Sequence, residues 1–181
     1  MAVVTGDVGP LVVGLAECKA ALRLERDDED AVLAGHIRTA MALCEAFIGQ
    51  WLIERNGEQR LACDLAWQRL QASPVQQISG LFLAGEALAT GWESDIGADG
   101  TGWVRLIGQI PMASTTATPV NLVARFRAGI GVDWNGVPEP LRAGIVRLVS
   151  HLFSHRDAAD AGPPPAAVAA LWRPWRRMQL G

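Results

Sequence analysis

Between residues 28 and 49 the apolar side chains recur every three or four positions: Leu33, Ile37, Met41 with Ala40, Cys44, and Ile48 with Phe47. This is the period of an α-helix, and it draws one apolar stripe along about four turns. Asp27 stands at a capping position, Asp28, Glu29 and Asp30 fill the first turn, and Gly49 stands where the helix should stop. Carboxylates there meet unpaired amide groups and the positive end of the helix dipole, so a helix over 28–49 capped by Asp27 is predicted. One face of so long a helix has to meet a core, which makes the stripe the strongest constraint on the chain.

Two other segments carry the same period. Leu15, Cys18 and Leu22 predict a short helix over 15–24. Leu141, Ile145, Leu148, Val149 and Leu152 predict a long one over 138–156, opened by Pro138 and Pro140, with Arg142, Arg147 and Arg156 largely off its stripe. After Asn56-Gly57 the period changes to two: Leu61, Cys63, Leu65 and Trp67 alternate with Ala62, Asp64 and Ala66, as Leu122, Ala124 and Phe126 do with Val123, Arg125 and Arg127. That is strand patterning. Ser73-Pro74, Gly80, Ala84-Gly85-Glu86 and the run Gly97 to Gly102 cut the intervening chain into short apolar pieces at 75–79, 81–83 and 103–107. Gly129 to Val137 reads as a loop, Ala158 to Pro165 as a linker, and 165–172 as a short helix ended by Pro174. The expected class is α+β: a helical bundle of two N-terminal helices and a helix near 138–156, with a central β-rich insertion over 59–130. A core of 1–160 and a C-terminal tail of 161–181 are the expected domains.

The formal net charge is −3, and Lys19 is the only lysine. Arg173, Arg176 and Arg177 are the only charges after residue 160, so residues 1–160 hold thirteen basic against nineteen acidic side chains, a net −6. Such a body does not grip DNA by neutralising phosphates. No apolar run approaches the roughly eighteen uncharged residues of a bilayer span. Leu11 to Ala16, followed by Cys18, lacks the basic start of an export signal and has Asp7 and Glu17 beside it. A soluble protein without membrane contact is expected. Cys18, Cys44 and Cys63 are far apart, with no C-x-x-C pair, and are expected to be small buried thiols in a reducing compartment.

Candidate chemistry is sparse. Asp27 to Asp30 lack the spacing of a calcium loop, and helix capping accounts for them. His151 and His155 share a helix face, but Leu152 stands where a zinc-protease helix has its glutamate, and a third ligand is missing. Gly97 to Gly102 is not followed by the Lys-Ser/Thr of a phosphate loop and reads as a hairpin tip. No serine or cysteine nucleophile signature occurs. The expectation is no catalytic residue, no cofactor and no metal.

Seven tryptophans stand against no tyrosine. Trp51 and Trp67 are expected to be core or half-buried. Trp172 and Trp175 flank Arg173 and Pro174 and precede Arg176 and Arg177, the residue types most enriched at interface hot spots. From the residues alone such a tail binds a partner protein, stacks on nucleic acid, touches a membrane surface or folds back on its own core. A DNA-binding regulator using this tail is the competing functional reading, against which the acidic body and the lack of a basic recognition helix argue.

The order of the pieces resembles a known family. Leu15-x-x-x-Lys19-x-x-Leu22-Arg23-Leu24, then Asp27-Asp28-Glu29-Asp30-Ala31 and a long helix reaching Glu45 and Ile48-Gly49, resembles the start of the phage head-tail connector (adaptor) family. Ala124-Arg-Phe-Arg-Ala128-Gly129, a short loop, Val137-Pro138-Glu-Pro-Leu141-Arg142-Ala-Gly-Ile145 and His151-Leu152-Phe153-x-x-Arg156 resemble that family's closing strand and helix. The tail, Leu171-Trp-Arg-Pro-Trp-Arg-Arg177, looks like the versions found in gene transfer agents and related prophages. Ile130 stands where an aromatic is usual and Phe153 where tyrosine is common, both keeping apolar bulk.

The resemblance implies a structural, non-enzymatic role. The chain would form a ring, usually of twelve subunits, beneath the portal protein at the head-tail junction of a particle assembled in a bacterial cytoplasm. Such a ring extends the channel through which double-stranded DNA passes, without sequence-specific binding, and presents a platform for a tail-side stopper or head-closure protein. It further implies portal docking by Trp172, Arg173, Trp175, Arg176 and Arg177. Arg125 and Arg127 are candidates for pairing with acids of an adjacent subunit, against ordinary solvent exposure.

Overall fold

The computed structural model describes residues 4–6, 15–25, 27–108, 121–155 and 165–177. They fall into two units, one of strands (Met1–Gly9 and Glu54–Ile130) and one of helices (Pro10–Ile53 and Gly131–Gly181). The α+β class, with helices from both ends of the chain and a β-rich centre, is the observed one.

In the strand unit, the larger sheet holds β1 (Val4–Gly6), β2 (Arg55–Leu61), β4 (Val75–Leu83), β5 (Glu86–Ala87) and β8 (Leu122–Ala128) in the antiparallel order β1-β2-β8-β4-β5. The smaller holds β3 (Gln68–Arg69), β6 (Trp92–Ile96) and β7 (Gly102–Leu106) in the order β3-β7-β6. The alternation predicted for β8 is present: Leu122, Ala124, Phe126 and Ala128 are buried, and Arg125 and Arg127 are exposed. The pieces expected at 75–79 and 81–83 are one strand. The register of β4 against β8 shifts between Val75 and Gln77 and between Ile78 and Gly80, so the irregularity is absorbed as bulges and the pairing continues. The run Gly97 to Gly102 closes the β6-β7 hairpin. Asp99 accepts the Thr101 N–H at 2.9 Å there, and Gly100, at φ +75°, lies where an added Cβ would come within 2.5 Å of Pro74 Cβ.

The alternation of Leu61, Cys63, Leu65 and Trp67 does not make a strand. β2 ends at Leu61, and the Gln68 side chain satisfies the chain beyond it, donating to the Ala62 carbonyl and accepting the Ala62 N–H, each at 2.7 Å. Asp64 accepts the Ala66 N–H at 3.0 Å. With its polar groups bonded locally the segment needs no ladder, and Trp67, expected in or near a core, is 41% exposed. Gln59 is the opposite case. It is buried, donates to the Arg69 carbonyl at 3.0 Å and accepts the Gln71 N–H at 2.7 Å, joining β2 to the chain around β3.

In the helical unit, α1 (Leu15–Leu22), α2 (Asp30–Ile48), α3 (Glu139–Ser154) and α4 (Ala166–Trp172) pack around one core. The predicted stripe of α2 is buried as Leu33, Ile37, Ala40, Met41, Cys44 and Ile48, facing Leu141, Ile145, Leu148 and Val149 of α3. By length and composition alone α2 would also suffice to cross a membrane. Cys18 and Cys44 are buried and Cys63 is half-buried; burial pushes the Cys18 thiol up to about 11 and raises that of Cys44 as well. α2 ends at Gly49, which takes the left-handed conformation at φ +69° and donates to the Glu45 carbonyl at 2.8 Å. Arg156 and the linker over 158–164 lie outside the described residues.

The start of α2 departs from the expectation. Glu29 holds the cap position without a side-chain cap bond, and the Asp27 side chain accepts from Lys19 in place of a helix amide. Its carboxylate meets Lys19 at 2.5 Å, and the same ammonium reaches Asp30 at 2.8 Å. The only lysine thus clamps α1 to the first turn of α2, a direct charge pair in place of a cap. The Asp27 bond and charge raise the Lys19 pKa above its ordinary 10.5, and Lys19 lowers that of Asp27 below its ordinary 3.8.

The clamp's contribution is therefore complete between those two ordinary values. It is lost as pH falls through the depressed Asp27 value or rises through the elevated Lys19 value. Lys19→Met is expected to lower the urea midpoint at pH 7 and to shrink the difference between the pH 7 and pH 3 midpoints. Equal midpoint shifts at both pH values would show that the clamp contributes nothing.

Candidate docking surface

The arginine–tryptophan tail begins inside the helical core. Trp172, at the end of α4, is 0% exposed and is the largest fully buried side chain. Its indole N–H donates to the Leu141 carbonyl at 3.3 Å, and its ring centre lies 5.8 Å from that of Phe47. Gly144 of α3 makes the space, since a Cβ there would run into the indole nitrogen. Trp172 therefore presents no surface to a partner. Of the readings open from sequence, folding back on the chain's own core describes this part of the tail.

Beyond Trp172 the tail makes one tight turn, Arg173–Trp175, and closes the end of α2. The Ile48 carbonyl, left without an intrahelical donor by the end of the helix, accepts the Arg177 N–H at 2.9 Å. Gln50 donates to the Trp175 carbonyl at 2.6 Å. The Arg176 guanidinium stands 5.8 Å from the Phe47 ring centre. Arg173, Pro174 and Arg176 are exposed, and Trp175 and Arg177 are half-buried. The result is a basic, partly aromatic surface tied by these bonds to the α2 terminus, where cations also suit the negative end of the helix dipole.

The other candidates lie elsewhere. Arg125 pairs with Glu58, its cross-strand neighbour on β2, at 2.7 Å and lies 3.9 Å from the Phe82 ring centre. Arg127 reaches Glu54 at 3.3 Å. Both find their acids within the chain, and each remains about half exposed, at 51% and 50% of its side chain. The His151 and His155 rings are 4.3 Å apart, with His155 Nδ1 2.9 Å from the His151 carbonyl. Among the described residues no group of three metal-ligating side chains assembles around them.

Two features were missed from sequence. Glu17 of α1 accepts the Trp134 indole N–H at 3.0 Å, fixing the loop before α3. Trp67, Asp95 and Trp103 line an open pocket on the strand unit. The signal for it was present in the period-two spacing of Glu93 with Asp95 and of Trp103 with Arg105.

Trp172→Ala is expected to cost about 3–5 kcal/mol, as deletion of a buried indole does. Gly144→Ala should cost about 1–3 kcal/mol by overpacking. Arg173→Ala and Arg176→Ala, both exposed, should each stay within about 0.5 kcal/mol of wild type in urea unfolding.

No protein-family model matches the chain, and no curated protein matches it. Solved structures do. The chain is similar to one in the neck of an empty gene transfer agent particle with C6 symmetry, at 25% identity and a TM-score of 0.79, covering 99% of this chain and 98% of that one. A chain in the neck of a native particle with C12 symmetry gives 25% identity and a TM-score of 0.70, with 98% of both chains covered. A chain of the native gene transfer agent virion gives 24% and 0.73, again over 98% of both. The resemblance to head-tail connectors drawn from the sequence is thus matched in three dimensions: along almost its whole length, the chain carries the fold of a gene transfer agent neck component.

Proposed function

We propose that this chain is a structural, non-enzymatic head-tail connector of a gene transfer agent or tailed-phage particle. It forms a ring below the portal at the head-tail junction, extends the DNA channel and offers a platform to a tail-side closure protein. The observation that carries this reading is the whole-length match to chains from necks of C6 and C12 symmetry. Two properties of the chain support it. The outward face of α2 carries Ala31, Val32, Thr39, Ala42, Leu43 and Ala46, all exposed, with Arg38 the one exposed charge beside them. A surface helix is normally charged on that side, so this face suits burial against another copy. The net −6 of residues 1–160 suits a channel along which DNA must slide without being held.

The tail is the docking element toward the portal. Trp172 anchors it in the core, and the accessible parts of Arg173, Trp175, Arg176 and Arg177 make the contact. Electron microscopy of the purified chain mixed with its cognate portal is expected to show a ring beneath the portal. An Arg173→Ala/Arg176→Ala double variant should keep the wild-type urea midpoint and lose at least tenfold in association. A wild-type chain that does not associate with portal under assembly conditions overturns the reading, and undiminished binding of the double variant overturns the tail's part in it.

A further inference from the structure

The outer face of the β3-β7-β6 sheet is unlike an ordinary solvated one. Register places Glu93 opposite Arg105 and Asp95 opposite Trp103, neighbouring pairs on the same face. Arg105 lies 4.6 Å from the Trp67 ring centre while its Nη2 is 2.6 Å from Glu93 Oε2. One guanidinium therefore already sits between an indole and a carboxylate. The adjoining position repeats the acid and the indole without the base. There Trp67, Asp95 and Trp103 line the open pocket, and the Asp95 carboxylate has no hydrogen-bond or ion-pair partner among the described residues.

Two indole faces beside an unpaired carboxylate favour a cation that is flat as well as charged. A guanidinium stacks on the rings and donates in parallel to both carboxylate oxygens, which an ammonium cannot do. We propose that this notch takes an arginine side chain of a second copy of the chain, stacked on Trp103 and Trp67 and paired to Asp95. The inference rests on the ring reading above. A ring closes only if each copy carries two different, complementary surfaces, and charge complementarity identifies the second. Arg60 of β2 and Arg147 of α3 are exposed and have no acidic partner among the described residues. Either presents the required group from the body of the chain, separate from the tail.

The test uses full-length chain assembled on its portal, with Leu65→p-benzoylphenylalanine as a photo-cross-linker beside the notch, Leu65 being 47% exposed and outside the lining. The expected product is a chain-to-chain adduct whose acceptor peptide contains Arg60 or Arg147. Asp95→Lys is expected to reduce the copies retained per portal at least tenfold at an unchanged urea midpoint, and Asp95→Glu to retain them. Adducts with portal only, adducts to a peptide of the chain lacking both arginines, or complete rings with Asp95→Lys overturn the notch while leaving the connector reading standing. A wild-type chain that never associates with portal takes both down.

Discussion

The apolar seam between α2 and α3 is the interaction on which the helical unit depends. Leu33, Ile37, Met41, Cys44 and Ile48 of one helix meet Leu141, Ile145, Leu148 and Val149 of the other, although nearly one hundred residues of chain separate them. Burial at this seam brings together the helical segments that precede and follow the β-rich insertion. It also creates the gap over Gly144 into which Trp172 drops, so the terminal segment completes a core that the longer helices leave open.

A seam between distant segments requires the insertion to leave and re-enter cleanly. Ile53 and Gly131 form an isolated parallel bridge, and the Gly131 N–H donates to the Leu52 carbonyl at 3.0 Å. The chain departs and returns at adjacent points, so the helical unit closes without depending on the length of what lies between. Gly131 is required there by space: a Cβ would come within 2.6 Å of the Gly136 backbone carbon. The loop that follows is tied down by Asp133, which accepts the Gly136 N–H at 3.0 Å, and by the Trp134–Glu17 bond, so α3 starts from a fixed position.

Periodicity in sequence revealed the elements that bury one face and little else. The stripes of α2 and α3 and the alternation of β8 were legible because each is covered along a single side, and their pattern is the trace of that burial. The run from Leu61 to Trp67 has the same alternation without the burial, because one glutamine side chain supplies the hydrogen bonds that a partner strand would have given. Asp27 illustrates a similar limit. Its place in the sequence suits a cap, but Lys19, eight residues earlier, offers a full charge where the helix offers partial ones. The tail composition pointed to an interface, yet composition could not separate Trp172 from Trp175. That distinction is set by Gly144, a residue in another helix whose missing Cβ decides which indole goes inside.

The division of labour within the tail bears on the proposed docking. A free segment of fifteen or so residues loses on the order of 1–2 kcal/mol of backbone entropy per residue when it is ordered by a partner. Here that cost is met within the chain, by the burial of Trp172 and by the bonds from Arg177 to Ile48 and from Gln50 to Trp175. Arg173 and Arg176 are consequently presented on a tied-down turn, so that in the proposed docking the energy of their contacts is available for association. A tail with both tryptophans exposed would offer more apolar surface and bind less efficiently, because part of each contact would be spent on ordering it. In the proposed docking the buried indole acts indirectly, by fixing the turn that carries the exposed arginines.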